Sequence, residues 1–228
     1  MKRSLAAALA ISGGVALGLA AKRIRRSQQT AGDVAMRRLT TYFIVPVWIG
    51  AGFLDYLWHR RTRIETTSGL EESLMHSLMM LEAGPAVLAP LFLEINAGLL
   101  GWMLGLSVVH EATVLWDLSF TAPRRVIPPG EQVTHTFLEA PPFLVTAAAI
   151  STHWDQFLAL LGRGGEQPRY GVRLQDPAIP VSSVALMFAA LTLFGALPHA
   201  DELRRCVQAK KEGRVGQDTP ASLPEVFA

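Results

Sequence analysis

Apolar stretches long enough to cross a bilayer recur along the chain, separated by short charged segments, and this alternation limits what it can fold into. A hydrocarbon core about 30 Å thick takes about 20 apolar residues in a helix rising about 1.5 Å per residue. Backbone polar groups cannot stay unpaired in lipid, so the spans must be helices or the strands of a closed barrel. Alternation at period two is absent. The expected fold is therefore an all-α, polytopic membrane helix bundle with five or six transmembrane helices.

The spans follow from the runs themselves. Residues 5–21 are short and rich in Ala and Gly, with MKR before them and AKRIRR after, so they read as a signal-like segment or an anchor, with the uncleaved form expected. The second span is 41–58, with Pro46 inside it as a kink. The third runs from Glu72 to about Ile95, the fourth over 98–118, the fifth from about Val133 to Leu161, and the last over 182–197. This divides the chain into an N-terminal hydrophobic segment and basic linker (1–40), a bundle (41–198) and a polar tail (199–228) whose Pro/Ser-containing end is expected to be disordered.

Composition supports this reading and excludes others. Half the residues are hydrophobic and 18% are charged, against about 25% in soluble domains. The net charge of +2 is small, and the arginines cluster beside the apolar runs. That fits lipid headgroups and topology control, not a nucleic-acid surface. A single cysteine, Cys206, excludes an intrachain disulfide and any CxxC motif.

Consecutive spans alternate in direction, so the end of the second, the start of the third, the end of the fourth and the start of the fifth share one face. There the sequence places Asp55 and His59, Glu72 and His76, His110, Glu111 and Asp117, and His135 and Glu139. Residues four apart share a helix face, so Asp55/His59, Glu72/His76 and His135/Glu139 each present a carboxylate beside an imidazole. Asp117 follows His110 by two turns on the same side. Ionisable groups inside spans are costly and turn to the interior or to water. Mixed nitrogen and oxygen donors suit iron, manganese or zinc. Four histidines with at least four carboxylates match a two-metal site of the kind built in helical bundles.

Each residue also has a plainer role. His59, followed by two arginines, can be an interface residue, and Glu71, Glu72 and Glu131 can favour helix N-termini. Glu82 and Glu94 read as lying away from the cluster, His153 and Asp155 as far down the fifth span, and His199 as a helix-end residue. His110 and Glu139 sit in apolar sequence and resist such explanations.

Segments DYLWH, EESLMH, HEATVLWD and HTFLE, within about residues 50–145, resemble the integral-membrane, histidine-rich di-iron enzymes of the fatty-acid hydroxylase and desaturase group. The resemblance is one of architecture, since that family's HxxxH and HxxHH boxes do not occur here. The chain is similar as well to small bacterial inner-membrane proteins. The resemblance implies a membrane-bound di-iron oxidoreductase acting on a lipid-like substrate, with membrane lipids and an electron-donor protein as partners. The metal-ligand candidates, assigned from spacing, are Asp55, His59, Glu72, His76, His110, Asp117, His135 and Glu139.

Two rival expectations stand beside it. In a zinc-dependent hydrolase, with zinc or manganese replacing iron, Glu111 would be the general base, although HEATV lacks the second histidine of HExxH. In a transporter or scaffold, the acid/His pairs would relay protons. The cluster's face is expected to be cytoplasmic, with Arg60, Arg61, Arg63, Arg124, Arg125 and the basic tail on that side.

Overall fold

The computed structural model describes residues 26–28 and 30–218. The first expected span, 5–21, lies outside them, as do residues 219–228. Among the described residues the chain forms six helices and one pair of three-residue strands. Strand β1 (Arg26–Gln28) runs parallel to β2 (Leu174–Asp176). The helices are α1 (Ala31–Arg61), α2 (Leu70–Phe92), α3 (Ala97–Thr121), α4 (Pro129–Thr152), α5 (Trp154–Leu160) and α6 (Val181–Lys211). Helices α1, α2, α3 and α6 are long and apolar enough to cross a membrane. Much of their outward surface is greasy: Leu81, Val108 and Leu186 are about 70% exposed. Water does not favour such a surface, and lipid does.

Local chemistry sets the helix limits. Thr30 opens α1 with a capping box, its hydroxyl accepting from the Asp33 N–H while Asp33 accepts from the Thr30 N–H. A π-helical turn, Thr40–Ile44, precedes Pro46, which has no N–H to give to the turn behind it. Helix α2 starts after Gly69, whose φ of 75° suits glycine. Asn96 caps α3 by accepting from the Leu99 N–H. Helix α4 starts on Pro129 in the first turn, where a missing N–H costs nothing.

Helix α2 is central, packing on α3, on α4 and on the C-terminal half of α6, while α1 lies along α4. The apolar core, with Met36, Ile44, Val87, Leu100, Met103 and Val145, fills the bundle toward the far end, where α1 and α3 begin. Ion pairs close that end: Arg169 and Arg173 hold Glu94, and His153 Nε2 lies 3.2 Å from Asp33 Oδ1.

Two expectations are corrected. The continuous fifth span to Leu161 is broken at His153, where α4 ends and the short α5 begins. The boundary expected between bundle and polar tail at 198/199 is crossed by one helix, because the last apolar helix continues to Lys211; the Pro/Ser-containing end lies outside the described residues. That continuation places Glu202, Cys206 and Ala209 in the interior, at the three-to-four residue spacing of one helix face.

Candidate metal centre

Five helix segments meet at one end of the bundle: the last turns of α1 and α3, the first turns of α2 and α4, and the C-terminal half of α6. Their polar side chains turn inward. His59 is 1% exposed and its Nδ1 lies 2.7 Å from Glu202 Oε2. An ionised carboxylate only accepts, so this nitrogen carries the hydrogen, and in the neutral ring Nε2 keeps its lone pair. Nε2 faces Asp55 Oδ2 at 3.5 Å and Glu131 Oε1 at 3.4 Å, and makes no hydrogen bond. His135 Nε2 approaches the same two carboxylates, at 3.0 Å from Asp55 and 3.9 Å from Glu131. Asp55, His59, Glu131 and His135 thus each offer one donor atom, all within 4.8 Å of one another. Metal bonds of about 2.0–2.2 Å hold donors about 3–4 Å apart around one ion.

A second group adjoins the first. His76 stacks on His59, ring centres 4.8 Å apart and planes 11° from parallel. Its Nδ1 lies on the Glu202 side, 3.7 Å from Oε1, and its Nε2 faces Glu72 Oε1 at 3.8 Å and Asp117 Oδ2 at 3.7 Å. One carboxylate, Glu202, therefore stands behind two parallel imidazoles while a different carboxylate pair stands before each. Glu202 is itself fixed by the Ser73 hydroxyl, which donates to Oε1 at 3.0 Å. A carboxylate behind a ring is the usual way to orient a ligating histidine and fix its tautomer.

Arg125, from the loop between α3 and α4, is fully buried beside the cluster. Its Nη2 lies 2.5 Å from Glu72 and 2.6 Å from Glu131, and its Nε donates to both Glu72 oxygens at 3.1 Å. Burial works against its charge, but the two carboxylates outweigh that and hold its pKa above the usual arginine value. Asp55, Glu72, Asp117, Glu131 and Glu202 against one guanidinium leave four formal negative charges when the histidines are neutral. Two divalent cations would balance them.

The cluster opens onto a cavity of about 410 Å³ whose walls are otherwise mostly apolar, with Trp48, Ile49, Leu88, Val114, Leu138 and Leu191 among them. Helix α6 adds Thr192, Gly195 and Ala196 from its π-helical turn, a distortion often found beside functional sites.

Of the residues expected from sequence, the structure brings together Asp55, His59, Glu72, His76, Asp117 and His135. It corrects the placement of three. His110 lies two turns deeper along α3, where its Nδ1 is 3.6 Å from Glu82 Oε2, so it pairs with the residue read as remote. Glu139 lines the cavity a turn or more beyond the cluster, because His135 pairs back toward Glu131 and not forward. Glu111 is exposed on the outer face of α3 and cannot act as a base inside the cavity.

Sequence reasoning missed Glu131, Arg125, Glu202 and His199. Glu131 lies four residues before His135, the same spacing that singled out the other pairs, but its place in a first turn suggested dipole compensation instead. His199 lines the cavity, and its Nε2 is 2.7 Å from the Ser77 hydroxyl. Comparison with protein-family models, curated proteins and solved structures finds no match. The functional reading therefore rests on the geometry of the site.

Proposed function

We propose that the chain is an integral-membrane metalloprotein whose centre holds two ions at the end of an apolar cavity, and that it is an oxidoreductase acting on a lipid-like substrate. One observation carries this most strongly. The buried Nε2 of His59 and Oε2 of Glu131 make no hydrogen bond, yet the Glu131 carboxylate, whose Oε1 also pairs with Arg125 at 2.6 Å, faces that nitrogen at 3.4 Å. Buried polar atoms are rarely left so, and a cation between them would satisfy both. Asp55, His59, Glu131 and His135 would hold the first ion, and Glu72, His76 and Asp117 the second.

The donors are nitrogen and oxygen, and the buried Cys206 thiol is not among them, so iron is preferred, with zinc or manganese as alternatives. Bound iron would supply oxygen-dependent redox chemistry. The protein's own part is to fix the ring tautomers through Glu202, offset charge through Arg125 and keep the reacting end of an apolar substrate out of water. Glu139, which borders the cavity beyond the metal ligands, can take or give a proton there. An electron-donor protein is the expected partner, and membrane lipids the surroundings. We place the chain in a bacterial inner membrane with the cluster facing the cytoplasm, because Arg60, Arg61, Arg63, Arg124 and Lys210 collect at that end.

Metal analysis of the purified protein is the test. Close to two iron equivalents per chain are expected, falling below one in Glu131→Gln and His59→Ala. Zinc at that stoichiometry would move the reading to a hydrolase. A folded wild-type chain without bound metal after growth in iron, zinc and manganese would defeat it. The stacked imidazoles and the Glu202 bridge would then be read as a proton relay.

A further inference from the structure

Part-way along the cavity, away from the cluster, His110 and Glu82 form another buried acid–imidazole pair. His110 is 4% exposed and Glu82 5%. The Thr113 hydroxyl donates to Glu82 Oε1 at 2.9 Å, while Glu82 Oε2 and both His110 ring nitrogens make no hydrogen bond. Buried polar atoms are rarely left without a partner. His110 lies on the cavity wall, among Met79, Ala83 and Val114. It precedes Asp117 by seven residues, which puts it about 10 Å along the helix from the cluster. Glu82 follows His76 by six residues, about 9 Å by the same measure. The pair is therefore an isolated polar station in an apolar wall, too far away to ligate an ion at the cluster.

We infer that His110, supported by Glu82, recognises a hydrogen-bonding oxygen carried within an otherwise apolar ligand, about 10 Å from the end that meets the metal centre. A hydroxyl or a carbonyl fits, since a neutral imidazole offers one N–H and one lone pair. The inference rests on the cavity being the substrate site. It narrows the substrate from a plain hydrocarbon chain to one with an internal oxygen function. A site built to hydrogen-bond such a group discriminates against the analogue lacking it, because its own polar atoms are then left unpaired.

The test compares two probes on the metal-loaded protein in phosphatidylcholine nanodiscs, with binding read by native mass spectrometry. The probes are octadecanoate and 10-hydroxyoctadecanoate, whose carboxylate can meet the metal centre and whose hydroxyl lies a comparable distance along the chain. The wild type is expected to bind the hydroxy acid about tenfold more tightly, a difference of about 1.4 kcal/mol. In His110→Phe the preference disappears while metal content and octadecanoate binding stay unchanged. His110→Gln, which keeps a donor and an acceptor, retains part of it. Equal binding of the two probes to the wild type, binding of neither, or a preference that survives in His110→Phe would overturn the inference. A chain without metal that still shows the His110-dependent preference would defeat the metal reading and leave this one standing.

Discussion

Gly130 shows how closely the site depends on single atoms. A Cβ built there would lie 2.4 Å from Cζ2 of Trp58, within the indole ring. No side chain fits unless Trp58 or the start of α4 moves, and the next residue is Glu131. Gly130→Ala should therefore cost about 1–3 kcal/mol through overpacking and shift the carboxylate that faces His59 and His135. Thermal unfolding and metal content should fall together, and a variant with normal metal content would show that Glu131 tolerates the shift. Arg125 works through charge instead. Truncating one partner of a buried ion pair costs about 3–5 kcal/mol, because the other charge is left uncompensated. In Arg125→Met, Glu72 and Glu131 would face each other without the guanidinium that joins them. The loss of stability should be largest in metal-free protein and should shrink when excess divalent metal is added, since a cation can replace the missing charge. A loss that added metal leaves unchanged would mean that Arg125 acts by packing alone.

At the scale of the element, the C-terminal half of α6 turns a four-helix arrangement into a closed site. Its polar face carries Glu202 inward, and its outer face is tied down by pairs between Arg205 and Glu65 and between Lys210 and Glu71. The chain beyond it then folds over the loop joining α1 and α2. The Gly216 N–H donates to the Thr66 carbonyl at 2.8 Å, and the Thr66 hydroxyl donates to Asp218 Oδ2 at 2.5 Å. Little of this was legible in the sequence, because a polar stretch of helix has the composition of a tail. The signal was the spacing of Glu202, Cys206 and Ala209, which marks a single buried face. Two predictions belong here. Glu202→Gln keeps the shape but removes the charge that orients His59 and His76, so metal affinity should fall by about 10–100-fold without loss of the helix; unaltered affinity would remove Glu202 from the site. The Thr66 hydroxyl, with Arg63 alongside, also holds the Asp218 carboxyl below the usual aspartate range. The stabilisation it gives is complete above that range and is lost as pH falls through the lowered folded value. Protection factors against hydrogen exchange over 212–218 should fall in acid, and Asp218→Asn should show the lower protection already at neutral pH. The same protection in both proteins at neutral pH would mean that the carboxylate does not hold this segment.

For the whole molecule, the apolar runs and the alternation of span direction made both the bundle and its polar end readable from the sequence, and the i, i+4 spacing placed Asp55 with His59 and Glu72 with His76. What could not be read was depth. His110 and Glu139 belong to the same inward faces as the cluster, but one or two turns of helix carry them out of reach of it, and periodicity reports direction around an axis more clearly than distance along it. Long-range partners were equally hidden: Arg125 is 53 positions from Glu72 and Glu202 is 143 from His59, and both acquire their roles only through packing. The resulting molecule has a hydrophobic core at one end and a concentration of like charge at the other, and only the core is stabilised by burial alone. Folding brings Asp55, Glu72, Asp117, Glu131 and Glu202 together, and their repulsion must be offset by protons or by cations. A ligand that binds only the folded state stabilises it by about 2.7 kcal/mol at a hundred times its dissociation constant. Removing metal with a chelator should therefore lower the unfolding temperature in detergent markedly. The loss should be reversed by restoring iron and should be small in Glu131→Gln, which has already lost one of the charges. Unfolding that ignores the chelator, in wild type and variant alike, would mean that bound cations contribute nothing to holding these carboxylates together.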